Sequence, residues 1–311
     1  MPEAESESTL TVVLAFVANL LIAAAKTVAA IVTGSASMVA EAAHSWADAG
    51  NEVLLLVANR RSQAPADEHH PLGYGRESYV WSMFAALGLF ALGAGVSITH
   101  GIQELFHPEP SSEFVVAYIV LGVSFLLEGV SFRQAFRQLR SEAAGMDRTV
   151  LQHALLTSDP TTRAVFAEDA AALTGLIIAF VGVLLHQVTG SPIPDAIGSI
   201  AVGVLLAVVA IVLVDRNRRF LVGEQASPQL RTAGITTLLK LPEIERVTFM
   251  RMEFLGPRRV YLVASVDLVG DFVESKIAET LRALESKIES DTYVVRAVLT
   301  LSTKDEASIG P

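Results

Sequence analysis

The chain has 311 residues, 51% of them hydrophobic and only 18% charged, with a formal net charge of −10. Soluble domains carry about 25% charged residues, so this deficit argues against both a disordered chain and an ordinary soluble enzyme. The acidic balance argues against nucleic-acid binding by a general basic surface. With no cysteine in the sequence, disulfides, thiolate zinc sites and cysteine catalysis are excluded.

A bilayer core of about 30 Å takes about 20 mostly apolar residues per helix, and six segments meet that length. The first runs from Leu10 to Thr33, after Glu3, Glu5 and Glu7 rather than the basic region of a signal peptide. The second spans Ser37–Asn59 after a tight turn at Gly34, the third Tyr79–Leu105 and the fourth Phe114–Phe136. The fifth spans Ala164–Gln187 and the sixth Ile193–Val214. The connections alternate in charge. Arg60, Arg61 and Arg76 follow the second segment, Arg133, Arg137, Arg140, Arg148 and Arg163 lie between the fourth and fifth, and Arg216, Arg218 and Arg219 follow the sixth. The turns at Gly34–Ser35, His107–Ser112 and Val188–Pro192 contain no Lys or Arg. The positive-inside rule then places both termini on the cytoplasmic side. This alternation is not expected of buried helices in a soluble protein.

After Phe220 the composition becomes that of a soluble domain. Pro228–Lys240 is predicted as a helix, Arg246–Phe254 and Arg259–Leu268 as strands joined by a turn at Leu255–Pro257, Phe272–Ile288 as an amphipathic helix, and Tyr293–Leu301 as a last strand. The order αββαβ predicts a small open-faced sandwich with its helices on one face of the sheet. The expected division is a tail over 1–8, a six-helix membrane domain over 9–220 and a C-terminal domain over 221–311.

Ionisable residues within a bilayer cost roughly 2.5–3.5 kcal/mol each on insertion scales, so each needs a partner or a function. The apolar segments hold Lys26, Glu41, His44, Asp48, Glu52, Glu128, Glu168, Asp169 and Asp195. Glu41, His44, Asp48 and Glu52 are spaced 3, 4 and 4, forming one polar stripe. His44 and Asp48, one turn apart, can both reach a single divalent cation. Glu168 and Asp169 are adjacent, so their side chains diverge by roughly 100°, and both meet one ion only if Glu168 reaches in from the flank. Two such carboxylates repel unless a cation or proton lies between them. Lys26, the only lysine before Lys240, can pair with one of them but cannot neutralise the whole set. In the loop Pro65–Glu77, Asp67, His69 and His70 could bind a metal at the cytoplasmic mouth, or the segment is simply a hydrated polar loop. His100, His107, His153 and His186 are expected to be interfacial, and Trp46 and Trp81 to act as packing or interface anchors. A metal-activated hydrolase would need a motif such as HExxH, and none is present.

Gly34-Ser35-Ala36-Ser37-Met38-Val39-Ala40-Glu41-Ala42-Ala43-His44-Ser45-Trp46-Ala47-Asp48, together with His70-Pro71-Leu72-Gly73-Tyr74-Gly75-Arg76-Glu77, resembles the cation diffusion facilitator family of divalent-metal/proton antiporters. Glu168-Asp169-Ala170-Ala171-Ala172 and Asp195-Ala196-Ile197-Gly198-Ser199 add to the resemblance, which extends over nearly the whole chain and is nearest to the zinc-transporter-nine-like branch. It implies an α-helical polytopic membrane protein of six transmembrane helices with a C-terminal α+β, ferredoxin-like cytoplasmic domain that joins a homodimer. In zinc-selective members the transport site takes HxxxD or DxxxD from the second helix and HxxxD from the fifth. Here His44 and Asp48 match the first pair and Asp169 the second aspartate, but Val165 stands where the second His would be, so Glu168 or a water replaces it. One imidazole with more carboxylates suits harder ions, so Mn²⁺, Fe²⁺ and Co²⁺ stand as alternatives to Zn²⁺. Asp67 and His70 match the family's loop site, with Tyr74 where a further His often lies. The C-terminal domain has no His, so a His-based binuclear site is not expected there.

The implied activity is efflux of a divalent cation by proton antiport with alternating access. The implied partners are protons, the metal ion, the bilayer and a second copy, with no nucleic acid and no prosthetic group. The expected location is the plasma (inner) membrane. The alternative of another class is a non-transporting metal-sensing membrane scaffold.

Overall fold

The computed structural model describes residues 2–108, 113–146 and 148–310, with side chains from residue 16 onward except residue 18. The side chains of Glu3, Glu5 and Glu7 and most of the His107–Ser112 turn therefore lie outside the described residues. Two compact units form. One comprises 1–58 with 81–217, and the other comprises 59–80 with 218–311.

The first unit is helical. Its elements are α1 (Pro2–Thr33), α2 (Ala36–Ser62), α3 (Glu77–Phe106), α4 (Phe114–Ala144), α5 (Val150–Leu156), α6 (Pro160–Thr189) and α7 (Ile193–Val222). Among the described residues, α3, α4, α6 and α7 are long and apolar enough to cross a membrane, while α1 contributes a shorter apolar stretch, Asn19–Thr33. Glu41, Asp48 and Glu52 interrupt the apolar surface of α2, so length and hydropathy alone do not mark it as a span. Several helices differ from expectation, α7 among them, which continues past Val214 to Val222. α4 continues past Phe136 to Ala144 because Arg, Gln, Ala and Leu are all strong helix formers. α5 interrupts the connection to α6, opening on a capping box in which the Thr149 hydroxyl accepts from the Gln152 N–H and the Gln152 side chain accepts from the Thr149 N–H.

The start of α2 is fixed by Asp195 of α7. Its carboxylate accepts from the Ala36 N–H at 2.9 Å and the Ser37 N–H at 3.2 Å, satisfying two of the free donors at a helix N-terminus where a negative charge is favoured. The Ser37 hydroxyl in turn donates to the Asp195 carbonyl at 2.9 Å. Small residues let helices approach closely in an apolar solvent. Thus Gly101 of α3 lies against Ile200 and the Ala196 carbonyl of α7, and Gly203 of α7 lies against Ile98 and the Ala94 carbonyl of α3. Between Leu89 and Ala94, α3 widens into a π-helical turn.

In the second unit, α8 (Pro228–Leu239) and α9 (Glu274–Glu289) accompany β1 (Ile244–Gly256), β2 (Arg259–Leu268) and β3 (Val294–Leu301). The sheet order is β1-β2-β3, with β1 and β2 antiparallel and β3 parallel to β2. β1 and β2 stay paired as far as Gly256 and Arg259, so the hairpin turn is Pro257-Arg258, with Arg258 at φ 58. Alternate residues of β2, Val260, Leu262, Ala264, Val266 and Leu268, are buried with Ile235 and Leu238 of α8 and Leu284 of α9. This is the half-buried pattern of a sheet covered on one face. The segment 59–80 belongs to the same unit. Arg76 forms an ion pair with Glu253 of β1. A Cβ on Gly75 would meet the Leu255 carbonyl oxygen at 2.5 Å, so only glycine permits that backbone approach.

Candidate functional site

The membrane-helix unit gathers the polar residues of α2, α4 and α6. His44 is fully buried, and its Nδ1 lies 3.4 Å from Oδ1 of Asp48, one turn on. Neither ring nitrogen of His44 and not Oδ1 of Asp48 has a hydrogen-bond partner. A buried polar atom without a partner costs about 1–3 kcal/mol, and here three such atoms lie side by side on one helix face. Asp48 also interacts electrostatically with Glu168, Glu128 and Asp169, as well as with Lys26.

Among the other intramembrane charges, Lys26, Glu41, Glu52, Glu168 and Asp169 are each held by a partner. Lys26 and Glu41, both fully buried, form an ion pair at 3.0 Å. Lys26 is thus taken up by Glu41, and the alternative of a pairing with Glu168 or Asp169 is not realised. The reason is register, because the Glu41 carboxylate lies in a space left by Gly175 of α6, where a Cβ would approach Oε1 to 2.8 Å. The Asn51 amide donates to Oε1 of Glu168 at 3.0 Å, and the Ser131 hydroxyl donates to Oδ2 of Asp169 at 2.8 Å. Asn19 donates to Glu52 at 3.1 Å. Asn51 and Ser131 were not singled out in the sequence, although Asn51 lies three residues after Asp48 on the same stripe and Ser131 three after Glu128. Val165 is 36% exposed, whereas Glu168 is buried. A direct ligand could come from the Glu168 position but not from Val165, which has no donor atom. Among the described residues no three His, Asp or Glu side chains converge closely enough to hold an ion as they stand.

Asp195 serves the start of α2, and His186 lies 4.0 Å from it and against the Phe114 ring. His186 and His153 are both buried within the protein, His153 because it turns inward to contact Glu142 at 3.2 Å. Trp46 is partly exposed and donates to the Thr27 hydroxyl at 3.0 Å.

The loop residues Asp67 and His70 are brought together outside the helices. Oδ1 of Asp67 accepts the His69 and His70 N–H groups at 3.0 and 2.7 Å, and Oδ2 accepts the Tyr74 hydroxyl at 2.7 Å. Nδ1 of His70 is 3.4 Å from Oδ1 of Asp67, and the His70 and Tyr74 rings lie with centroids 4.1 Å apart, tilted by 35°. The Tyr74 hydroxyl, followed by the His70 N–H, holds the Asp67 carboxyl below its usual range, and the same bond to Asp67 raises the Tyr74 phenol. A depressed carboxylate stabilises the loop above its unfolded pKa, and that contribution is lost as pH falls through the lower folded value. A raised phenol stabilises below its unfolded pKa and loses its contribution as pH rises through the higher one. The loop turn is therefore expected to persist across neutral pH and to loosen only at the acidic and alkaline extremes. Tyr74→Phe is expected to move the Asp67 titration up toward the ordinary carboxylate value, measured by carboxyl ¹³C NMR. An unmoved titration would show that the hydroxyl contributes nothing.

A family model of the cation efflux transmembrane domain matches residues 12–222. The chain belongs to the cation efflux family. This cation efflux protein is 37% identical over 236 residues to Metal tolerance protein C4 of Arabidopsis thaliana, covering 76% of this chain and 52% of that relative. It is 35% identical over 255 residues to the mitochondrial proton-coupled zinc antiporter SLC30A9 of Mus musculus, covering 82% of this chain and 45% of that relative. The chain spans about half the length of the curated relatives it matches. The matched model is that of a transmembrane domain, so the chain is an integral, multi-pass membrane protein of that family, and the SLC30A9 relative is by its name an antiporter.

Proposed function

We propose that this protein exports a divalent cation, Zn²⁺ first, in exchange for protons, and that the ion is held by His44 and Asp48 of α2 with Glu168 and Asp169 of α6. The observation that carries the reading is the fully buried His44, whose two ring nitrogens have no partner, beside the unpartnered Oδ1 of Asp48. Neutral imidazole and ionised carboxylates bind a divalent ion, and protons compete for the same atoms. Proton binding on one side can thus release the ion, while helix rocking exposes the site to one face at a time. Asn51 and Ser131 hold the α6 carboxylates apart in this state. Binding then requires Glu168 or Asp169 to turn toward Asp48, with the cation supplying the attraction that replaces those hydrogen bonds. The SLC30A9 relative, by its name a proton-coupled zinc antiporter, supports Zn²⁺.

In this reading α1 to α4, α6 and α7 make six spans. The positive-inside pattern puts both termini in the cytoplasm and suits the plasma membrane. The αββαβ unit is a ferredoxin-like dimerisation domain, and Asp67 with His70 forms a peripheral cation site at the loop.

The test is uptake by the full chain in sealed vesicles under an imposed pH gradient, ion by ion. Zn²⁺ flux coupled to proton counterflow is expected, with Mn²⁺, Fe²⁺ and Co²⁺ slower. Proton-independent flux or none would overturn the reading, and faster Mn²⁺ would reassign the ion. Glu168→Gln keeps an oxygen that accepts from Asn51 but removes the charge. It is expected to weaken apparent Zn²⁺ affinity by at least the 10–100-fold lost when even an outer partner of a metal site is removed, with the thermal midpoint little changed. Unaltered affinity with a lowered midpoint would make Glu168 a structural partner of Asn51.

A further inference from the structure

The exposed face of α4 carries one continuous ridge. Ile119, Val123, Leu126 and Val130 are 60%, 53%, 70% and 68% exposed, and the same alternation of four and three residues continues through Arg133, Arg137 and Arg140, all exposed. A spacing of 4, 3, 4, 3 keeps side chains on one helix face. Among the described residues none of the three arginines makes an ion pair or hydrogen bond. Glu142, two residues after Arg140 on α4, contacts His153 and Gln138. An apolar ridge thus becomes an arginine ridge without changing face.

We infer that this arginine ridge is a docking surface for anionic phospholipid headgroups. Lengths support the placement. From Phe114 to Phe132 the helix rises roughly 28 Å at 1.5 Å per residue, close to the hydrocarbon thickness of about 30 Å. Arg133 then stands at the edge of the hydrocarbon, Arg137 about 6 Å and Arg140 about 10 Å beyond it. That range covers the headgroup layer, which adds roughly 5–8 Å on each side. Guanidinium matches phosphate by paired N–H···O bonds and sheds water more readily than ammonium. The occupant is a lipid because the ridge runs unbroken from acyl-chain depth into the phosphate layer, so a single phospholipid lies along Leu126 and Val130 while its phosphate meets the arginines. Charge selects the anionic class, since three unpaired cations sit on a chain whose net charge is −10. Of the described windows long and apolar enough to span a membrane, that of α4 is the least buried, at 17%, so lipid is its principal neighbour. Ser131, the partner of Asp169, lies two residues before Arg133, and lipid on the ridge would steady the helix that presents it.

The experiment places the full chain in phosphatidylcholine vesicles containing a minor fraction of phosphatidylglycerol. Association of spin-labelled phosphatidylglycerol is measured relative to spin-labelled phosphatidylcholine by electron spin resonance. Arginines near an anionic surface each contribute about a fivefold preference. The R133Q/R137Q/R140Q variant is therefore expected to lose at least fivefold of the selectivity. The charge-matched R259Q/R282Q/K304Q variant, altered on the second unit, is expected to keep it. High salt should reduce the selectivity of the parent chain but hardly that of the ridge variant. Equal selectivity in the ridge variant and the parent would overturn the proposal and leave the ridge for an acidic protein segment. An equal loss in both variants would overturn it too, by tracing the effect to net charge alone.

Discussion

Asp48→Ala is expected to abolish metal flux in vesicles while the protein still folds and inserts. Asp48 is the centre of the polar cluster. It lies 3.4 Å from His44, is only partly exposed, and interacts electrostatically with Glu168, Glu128 and Asp169. Its Oδ1 has no hydrogen-bond partner, so truncation breaks no bond that the helix needs and relieves repulsion among the remaining carboxylates. Stability should therefore hold or rise. Removal of an outer partner of a metal ligand already costs 10–100-fold in affinity, and loss of an anionic ligand itself should cost more. Asp48→Asn is the sharper variant, because it keeps the shape and removes only the charge. Flux near the parent level in both variants, at unsaturating zinc, would remove Asp48 from the transport site.

The contrast between what was and was not readable in the chain follows from the range of the forces involved. The αββαβ order and most strand limits were legible because β2 alternates buried and half-buried residues along its length, a pattern local to ten residues. The apolar cores of α3, α4, α6 and α7 were legible for the same reason. The extension of α4 to Ala144 was not, because hydropathy ends where helix propensity does not. α5 carried its own signal in the Thr149–Gln152 capping box, though hydropathy does not report it. The grouping of 59–80 with the C-terminal unit was not legible, because it rests on Gly75 against Leu255 and Arg76 on Glu253, contacts far apart in sequence.

The site divides the same way. His44 and Asp48 declare themselves by one-turn spacing, and the structure places them side by side. Their relation to α6 depends on Asn51 and Ser131, neutral residues whose importance appears only once the helices are packed. Asp195 was conspicuous as an intramembrane carboxylate, but its work is to cap α2 across a separation of 159 residues. Sequence spacing cannot distinguish a cap from a ligand when the partner is a backbone N–H on another helix.

Lys26→Met is expected to destabilise the protein, and Lys26→Met with Glu41→Leu to recover most of the loss. Both charges are fully buried and 3.0 Å apart. Removing one partner of such a pair leaves an uncompensated buried charge and costs about 3–5 kcal/mol, whereas replacing both with apolar residues is often neutral or stabilising. Glu41 is the more exposed to this penalty because its Oε1 has no hydrogen bond and is hemmed in beside Gly175. In the thermal unfolding of the full chain in detergent, the single variant should fall by on the order of 10 °C at roughly 2–4 °C per kcal/mol. The double variant should lie within a few degrees of the parent by the same scale. The comparison bears on transport as well as folding. Lys26 is the only lysine in the membrane-helix unit, and its ammonium is bonded to Glu41. That bond engages the ammonium with Glu41 rather than with Glu168 or Asp169, the residues proposed to hold the ion with His44 and Asp48. A double variant that is stable and still carries zinc would establish that the pair isolates the lysine from the site. A stable double variant without flux would show instead that the lysine charge takes part in the transport cycle, and a single variant as stable as the parent would show that the buried pair contributes nothing to the fold.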